Sequence, residues 1–255
     1  MAESVEVIRA GVLGGIAHGF LGRRGGVSTG LVAGLNAGLG SGDDAAAVAE
    51  NRARAAAAVL PDARLVSIYQ VHSPSCVAVT EPWGDDARPE ADALVTNRRG
   101  LLLGIVTADC APVLLADSAA GVIGAAHAGW KGALAGVIEN TVAAMVALGA
   151  DRRAIAAAIG PCIAPSSYEV DEHFAARFIE YNIDNERFFS SGRPGHRHFN
   201  LEAYVAAMLT AAGVTQVERL GMDTCAAPER FYSYRRATLQ AEPTYGRQLS
   251  LIGLA

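Results

Sequence analysis

"LLLGIVTADCAPVLLADSAAGVIGAAHAG", residues 101–129, decides the fold. It holds three apolar runs, 101–109, 112–117 and 121–129, parted only by brief turns and too short for typical helices. Several are apolar at both sets of alternating positions, the pattern of strands in a sheet covered on both faces. Outward from this stretch, "RLVSIYQVH" (64–72), "SCVAVT" (75–80) and "ADALVT" (91–96) read as further short strands. "RAIAAAIGPCI" reads as a strand that turns at Gly160 and Pro161, and "TQVERLG" as another strand.

Helical segments flank these strands. "AAAVAENRARAAAAVL" follows Asp43 and Asp44, either of which can cap it, and Pro61 ends it. "ALAGVIENTVAAMVALGA" predicts one amphipathic helix with Leu134, Val137, Ile138, Met145 and Leu148 on one face and Gly149 at its C-terminus. "DEHFAARFIEYN" and "LEAYVAAMLTAAGV" are two more helices, and "NERFFSSGRPGHRHFN" between them reads as a polar loop. The opening segment mixes short apolar runs with glycines before the loop "RRGGVSTG". No composition shift, repeat or low-complexity tract divides the chain, which predicts one α+β domain over residues 1–255.

Composition excludes several classes. With 51% hydrophobic and 18% charged residues in 255, a disordered or fibrous chain is ruled out. A formal charge of -5 argues against a dedicated nucleic-acid binder. The longest apolar runs are too short to span a bilayer. The start "MAESVEVIRAG" carries glutamates where a secretory signal needs cations. Cys76, Cys110, Cys162 and Cys225 are scattered without a CxxC pair, so the expectation is a cytoplasmic protein with reduced thiols.

Three residues share one setting: His72, Cys110 and His127 each fall at the end of an expected strand. Ends of neighbouring strands converge, and two imidazoles with one thiolate suit zinc or copper, leaving a fourth position open as in catalytic sites. Spacing alone leaves two alternatives: Cys110 as a nucleophile with His127 as its base, or a purely structural role for buried Cys and His. Gly129, Lys131 and Gly132 at a helix start form either a phosphate cradle or an ordinary helix start with a solvated lysine. Arg23 and Arg24 on the glycine-rich loop could clamp an anion. Asn36 could bind a sugar hydroxyl or close a turn. In "FYSYRR" (231–236), Phe231, Tyr232 and Tyr234 beside Arg235 and Arg236 could stack on a base and hold a phosphate, or simply pack.

Together "GRRGGVS", "LNAGLGSGDD", "YQVHS", "EADALVT", "TADCAPVLLAD", "AAHAGWKG", "IGPCI", "YEVD", "FYSYRR" and "GRQLSLI" stand in the order typical of the YfiH-like, or laccase-domain, family. The resemblance runs from about residue 20 to the C-terminus. It implies an α+β domain layered helix, sheet, sheet, helix, similar to the catalytic domain of cytotoxic necrotizing factor toxins. It implies metal ligands at His72, Cys110 and His127. The family's basic loop has a threonine where this chain has Gly22, with Arg23 at the arginine position. Members were first described as multicopper polyphenol oxidases and later as purine nucleoside enzymes. The implied activities are phosphorolysis of adenosine, inosine and 5′-methylthioadenosine, and deamination of adenosine.

On that footing the expected substrates are a purine nucleoside and phosphate, with no nucleic-acid or membrane partner. Zn²⁺ is the expected cofactor, copper the alternative. Asp109 is expected as support or proton carrier beside Cys110, Arg23 and Lys131 at the phosphate, Asn36 near the sugar and Arg235 among the groups that bind substrate or its phosphate. The rival readings are a metal-free cysteine amidase, for which the family's proposed role on a peptidoglycan precursor offers a substrate, a polyphenol oxidase, and a nucleotide-binding regulator.

Overall fold

The computed structural model describes residues 4–255. In chain order the first strands are β1 (Val7–Ile8), β2 (Ala17–Leu21), β3 (Arg64–Ser67), β4 (Cys76–Ala78), β5 (Ala93–Thr96), β6 (Leu101–Thr107), β7 (Ala111–Asp117) and β8 (Val122–Ala128). They are followed by β9 (Ala156–Ile159), β10 (Glu169–Asp171), β11 (Phe189–Ser191), β12 (His196–Phe199), β13 (Gln216–Arg219) and β14 (Gln248–Gly253). The helices are α1 (Ala45–Val59), α2 (Trp130–Ala135), α3 (Val137–Ala147), α4 (Glu172–Tyr181), α5 (Leu201–Ala211) and α6 (Tyr234–Leu239).

Two mixed sheets carry the architecture. One has five strands in the order β1-β2-β14-β6-β3, the other six in the order β13-β9-β7-β8-β5-β4. Every residue of β7 and β8 is buried, as their two-sided apolar pattern requires. One face of each sheet meets the other: Phe20, Leu103, Ile105 and Ile252 pack against Leu94, Leu114, Ile123 and Ala125. The outer face of the five-stranded sheet packs Leu102, Leu249 and Leu251 on Ala55 and Val59 of α1. The outer face of the six-stranded sheet packs Val95, Val113 and Leu115 on Val142 and Met145 of α3 and Val205 of α5. The result is the expected α+β sequence of layers, helix, sheet, sheet, helix.

Three expectations change. The single helix over 133–150 is two, because Gly136 takes φ 99°, a left-handed conformation that ends α2 and starts α3 at a new angle. The expected buried face survives that break: Val137, Ile138 and Met145 are fully buried, Leu134 and Leu148 pack at its edge, and α3 stops before Gly149. The polar loop 185–200 is an antiparallel hairpin, β11–β12, which joins β10 in a small third sheet. Phe189 and Phe199 hold it down by stacking on each other at 4.8 Å and packing against Phe174 and Phe178. The third change concerns "RLVSIYQVH": β3 ends at Ser67, and His72 lies in the irregular segment beyond it. The C-terminal "GRQLSLI", unassigned from its pattern, supplies β14, a central strand paired with both β2 and β6.

Candidate metal centre

Strand register builds the site. β8 pairs antiparallel with β5 and β7, setting Ala93 beside Ala126 and Pro112 beside His127. Ile123 and Ala125 of β8 face the opposite sheet, so His127, two residues on, projects the same way at the strand's end. Cys110 sits in the turn between β6 and β7, immediately before Ala111, whose partner is Ala128. His72 reaches the same point from the loop after β3, held at φ 60°. One ligand-type atom from each of the three lies within 4.8 Å of the others. Cys110 Sγ is 3.9 Å from His72 Nε2, and the two imidazole rings meet edge to face at 4.7 Å.

The surrounding groups prepare these donors. His127 is buried, and its Nδ1 lies 2.8 Å from Asp92 Oδ1. That hydrogen bond places the proton on Nδ1 and leaves Nε2 as the free donor atom. Burial pushes the Cys110 thiol up, but the charge and hydrogen bonds of His127 and His72 outweigh it and bring it down to about 6. Burial pulls His127 down, and Cys110 and Asp92 together raise it to about 9. Asp92 resists its own desolvation through bonds from His127 and Ser73 and sits at about 2. A thiolate and two imidazoles in reach of one point, one imidazole oriented by a carboxylate, fit a divalent zinc-type ion.

A cavity of about 600 Å³ opens beside Cys110 and His72. Trp130, Tyr168 and Phe174 give it an aromatic side, while Arg235, Arg193 and His196 supply cationic and hydrogen-bonding groups. Arg235 lies over the Tyr168 ring at 5.4 Å and donates from Nη1 to Glu169 O at 2.9 Å. Arg193 is ion-paired to Glu169 at 2.9 Å, which ties the tip of the β11–β12 hairpin to β10 at the cavity wall.

The expected site residues divide. His72, Cys110 and His127 come together, and Asp109 and Arg235 line the adjoining cavity with His72 and Cys110. The Asp109 carboxylate accepts hydrogen bonds from Thr224 Oγ1 at 2.6 Å, Ser233 Oγ at 2.9 Å and Arg235 N at 2.6 Å. It therefore anchors the Cys110 turn to the C-terminal segment, and its burial pushes it above the usual carboxylate range.

Three of the expected substrate contacts lie elsewhere. Asn36 is fully buried: its amide donates to Ser41 and Asp43 and accepts from the N–H groups of Gly38 and Arg247, which leaves nothing for a sugar. Arg23 donates to the carbonyls of Ala33 and Pro228 and stacks 4.8 Å over Tyr232, lining a separate pocket of about 330 Å³. Lys131 is exposed, 5.5 Å from the Trp130 ring. The glycines of the supposed cradle make room for protein: Gly129 faces the His72 and Cys110 side chains, and Gly132 faces the Ser73 carbonyl. Asp92, Trp130, Tyr168 and Phe174 had no place in the sequence-based site. The one signal for Asp92 was an acid directly ahead of the apolar run "ALVT".

Known proteins resemble this chain along nearly its whole length. The model of the multi-copper polyphenol oxidoreductase laccase family matches residues 17–255. The chain belongs to this laccase-domain family. A member from Deinococcus radiodurans named purine nucleoside phosphorylase is 43% identical over 99% of this chain and 94% of its own length. Another from Streptomyces griseus, purine nucleoside phosphorylase ORF3, is 44% identical over 89% of this chain and 92% of its own. Among solved structures, YlmD from Geobacillus stearothermophilus superposes with a TM-score of 0.88 at 31% identity, covering 100% of this chain and 97% of that one. The Neisseria meningitidis protein NMB0706 gives a TM-score of 0.88 at 31% identity, over 98% and 99% of the two chains. Among the described residues no helix is long and apolar enough to cross a membrane.

Proposed function

We propose that this chain, acting as one catalytic domain, is a zinc-dependent purine nucleoside phosphorylase that also deaminates adenosine. The observation that carries the reading is a His72–Cys110–His127 donor set beside an aromatic, arginine-bearing cavity of about 600 Å³. The relatives named purine nucleoside phosphorylase supply the substrate class. Adenosine, inosine and 5′-methylthioadenosine are the nucleosides proposed. Copper is the alternative ion, but a multicopper oxidase needs many more His and Cys ligands than one three-donor cluster, which is all the described residues offer.

A zinc ion would be held by His72, Cys110 and His127 and would supply Lewis acidity beside the cavity. The protein's own groups do the rest. The aromatic side of the cavity, with Trp130, Tyr168 and Phe174, receives the base, and Arg235 presents a guanidinium to phosphate. In phosphorolysis a phosphate oxygen bonds to C1′ as the C1′–N9 bond breaks, and the base leaves with the electron pair and gains a proton. In deamination water adds at C6 and ammonia departs, leaving inosine. Asp109 keeps Cys110 in place through its three anchoring bonds and stands as the proton carrier beside the cavity. The test is direct: zinc-loaded protein is given inosine and phosphate, and separately adenosine, with ribose 1-phosphate and ammonia quantified. Absence of ribose 1-phosphate at full zinc occupancy rejects the phosphorylase.

One observation favours a second reading. A thiol brought to about 6 beside an imidazole raised to about 9 is also the pair of a cysteine hydrolase, in which Cys110 attacks and His127 moves the proton. That enzyme keeps its activity after chelation, whereas the zinc enzyme loses it.

A further inference from the structure

Asp92 is fully buried and is not among the residues lining the cavity. Its two oxygens serve different ligands. Oδ1 accepts from His127 Nδ1 at 2.8 Å. Oδ2 accepts from the backbone N–H groups of Val71 at 3.2 Å and Ser73 at 2.5 Å, and from the Ser73 hydroxyl at 2.9 Å. These last three bonds bracket His72, whose φ of 60° is a conformation that non-glycine residues adopt only when their surroundings impose it. The backbone closes the arrangement, since His127 N donates to Asp92 O at 2.7 Å.

We infer that Asp92 is the positioning residue that assembles the metal centre, setting both imidazoles with one carboxylate. Resting on the reading of this site as a metal centre, the inference adds that the two histidines are not independently placed. Oδ1 fixes the His127 tautomer so that Nε2 faces Cys110 and His72. Oδ2 clamps the turn that swings His72 inward. Only a carboxylate has acceptors at both ends. An amide in its place must turn its NH₂ either toward His127 Nδ1–H or toward the three donors of the 71–73 turn. The first choice forces the other tautomer and puts a proton on Nε2; the second leaves the His72 turn unpaired.

The test is a titration of metal-stripped full-length protein with Co²⁺, read by the thiolate-to-cobalt charge-transfer absorption, for the wild type and Asp92→Asn. Loss of a supporting carboxylate costs roughly ten- to a hundredfold in metal affinity, and that fall, with a shifted cobalt spectrum in folded protein, is the expected result. Affinity and spectrum within twofold of the wild type overturn the inference. A wild type that shows no cobalt–thiolate absorption overturns the metal reading itself, which separates the two failures. Should Asp92→Asn not fold, nitrogen-15 NMR of zinc-loaded wild type decides. Nδ1–H retained and Nε2 bound to zinc on His127 support the inference; zinc on Nδ1 overturns it.

Discussion

Gly129 stands against His72 so closely that a methyl group on it would lie 2.8 Å from the imidazole Cδ2, and 2.9 Å from the Cys110 sulfur. Its own backbone, φ -70° and ψ 159°, suits any residue. The demand for glycine is therefore purely one of space at the donor cluster. In Gly129→Ala the exposed His72 ring can swing outward at little cost to the fold. The expected outcome is a metal affinity at least about tenfold lower, as for other losses of ligand support, with the melting temperature of metal-stripped protein nearly unchanged. Zinc competition against a chromophoric chelator, beside a thermal melt, checks both halves. An alanine variant that binds zinc like the wild type removes the steric account.

Thiol reactivity separates the cysteines. Burial, opposed only by a hydrogen bond with Thr141, pushes Cys76 up to about 12, and burial with nearby acids lifts Cys162 well above the usual range. Cys110, in contrast to these two, is brought down, to about 6. The thiolate is the reacting form, so its fraction at Cys110 rises with pH through about 6 and is nearly complete by neutral pH. In metal-stripped protein, iodoacetamide should label Cys110 before Cys76 and Cys162, at a rate that levels off near neutrality, and zinc should block it. Peptide mapping by mass spectrometry reads the order of labelling; equal labelling of Cys76 and Cys110 at neutral pH contradicts it.

The parts of this molecule legible in the sequence are those whose signal is local. The strands around 101–129 announce themselves because both faces are buried, so no polar alternation obscures them. His72, Cys110 and His127 stood out because chemically distinctive residues close apolar runs of the sequence, although the strand ahead of His72 stops at Ser67. Asp92 showed only as an acid ahead of an apolar run: its role exists only once β5 and β8 pair in the register that brings it to His127. Asn36 and Arg23 misled for the same reason, since polar side chains on a glycine-rich loop show no preference between a ligand and the protein's own polar groups until the loop folds. The β11–β12 hairpin is short and polar, and it is held by Phe174 and Phe178 from α4 and by the Arg197–Glu172 and Arg193–Glu169 pairs, partners remote in sequence.

That glycine-rich loop carries an acid-sensitive contribution to stability. Asp43 accepts hydrogen bonds from Ser28 Oγ at 2.6 Å, Asn36 Nδ2 at 2.8 Å and its neighbour Asp44 N at 2.8 Å. Burial pushes its carboxyl up, and these bonds together outweigh burial and hold it below its ordinary 3.8. A lowered folded value favours the folded state wherever the carboxylate is ionised in both states, that is above 3.8. The contribution is lost as pH falls through the folded value. Asp43→Asn should therefore be less stable than the wild type at neutral pH, with the gap closing below 3.8. Urea unfolding of both proteins across that range measures the gap; a constant difference at every pH sinks the assignment.

The two arginines expected in the substrate site make opposite forecasts. Arg235 lines the cavity beside Cys110, with its guanidinium over Tyr168 and bonded to a single carbonyl, Glu169 O, so most of its donors are free for a ligand. Arg23 lies in the separate pocket around Tyr232, and three of its bonds go to the carbonyls of Ala33 and Pro228. A charge-assisted hydrogen bond is worth about 1.5–3 kcal/mol, or roughly tenfold to a hundredfold in binding. Arg235→Met should thus raise KM for phosphate by about that factor while zinc content stays at wild-type level. Arg23→Met should leave KM for phosphate alone and lower the melting temperature, because the carbonyls it satisfies lose their donors. Steady-state phosphorolysis on both variants, with zinc quantified in each, distinguishes them. If Arg23→Met is the variant that loses phosphate binding, the ligand enters through the Tyr232 pocket, and the cavity beside Cys110 is not where phosphate sits.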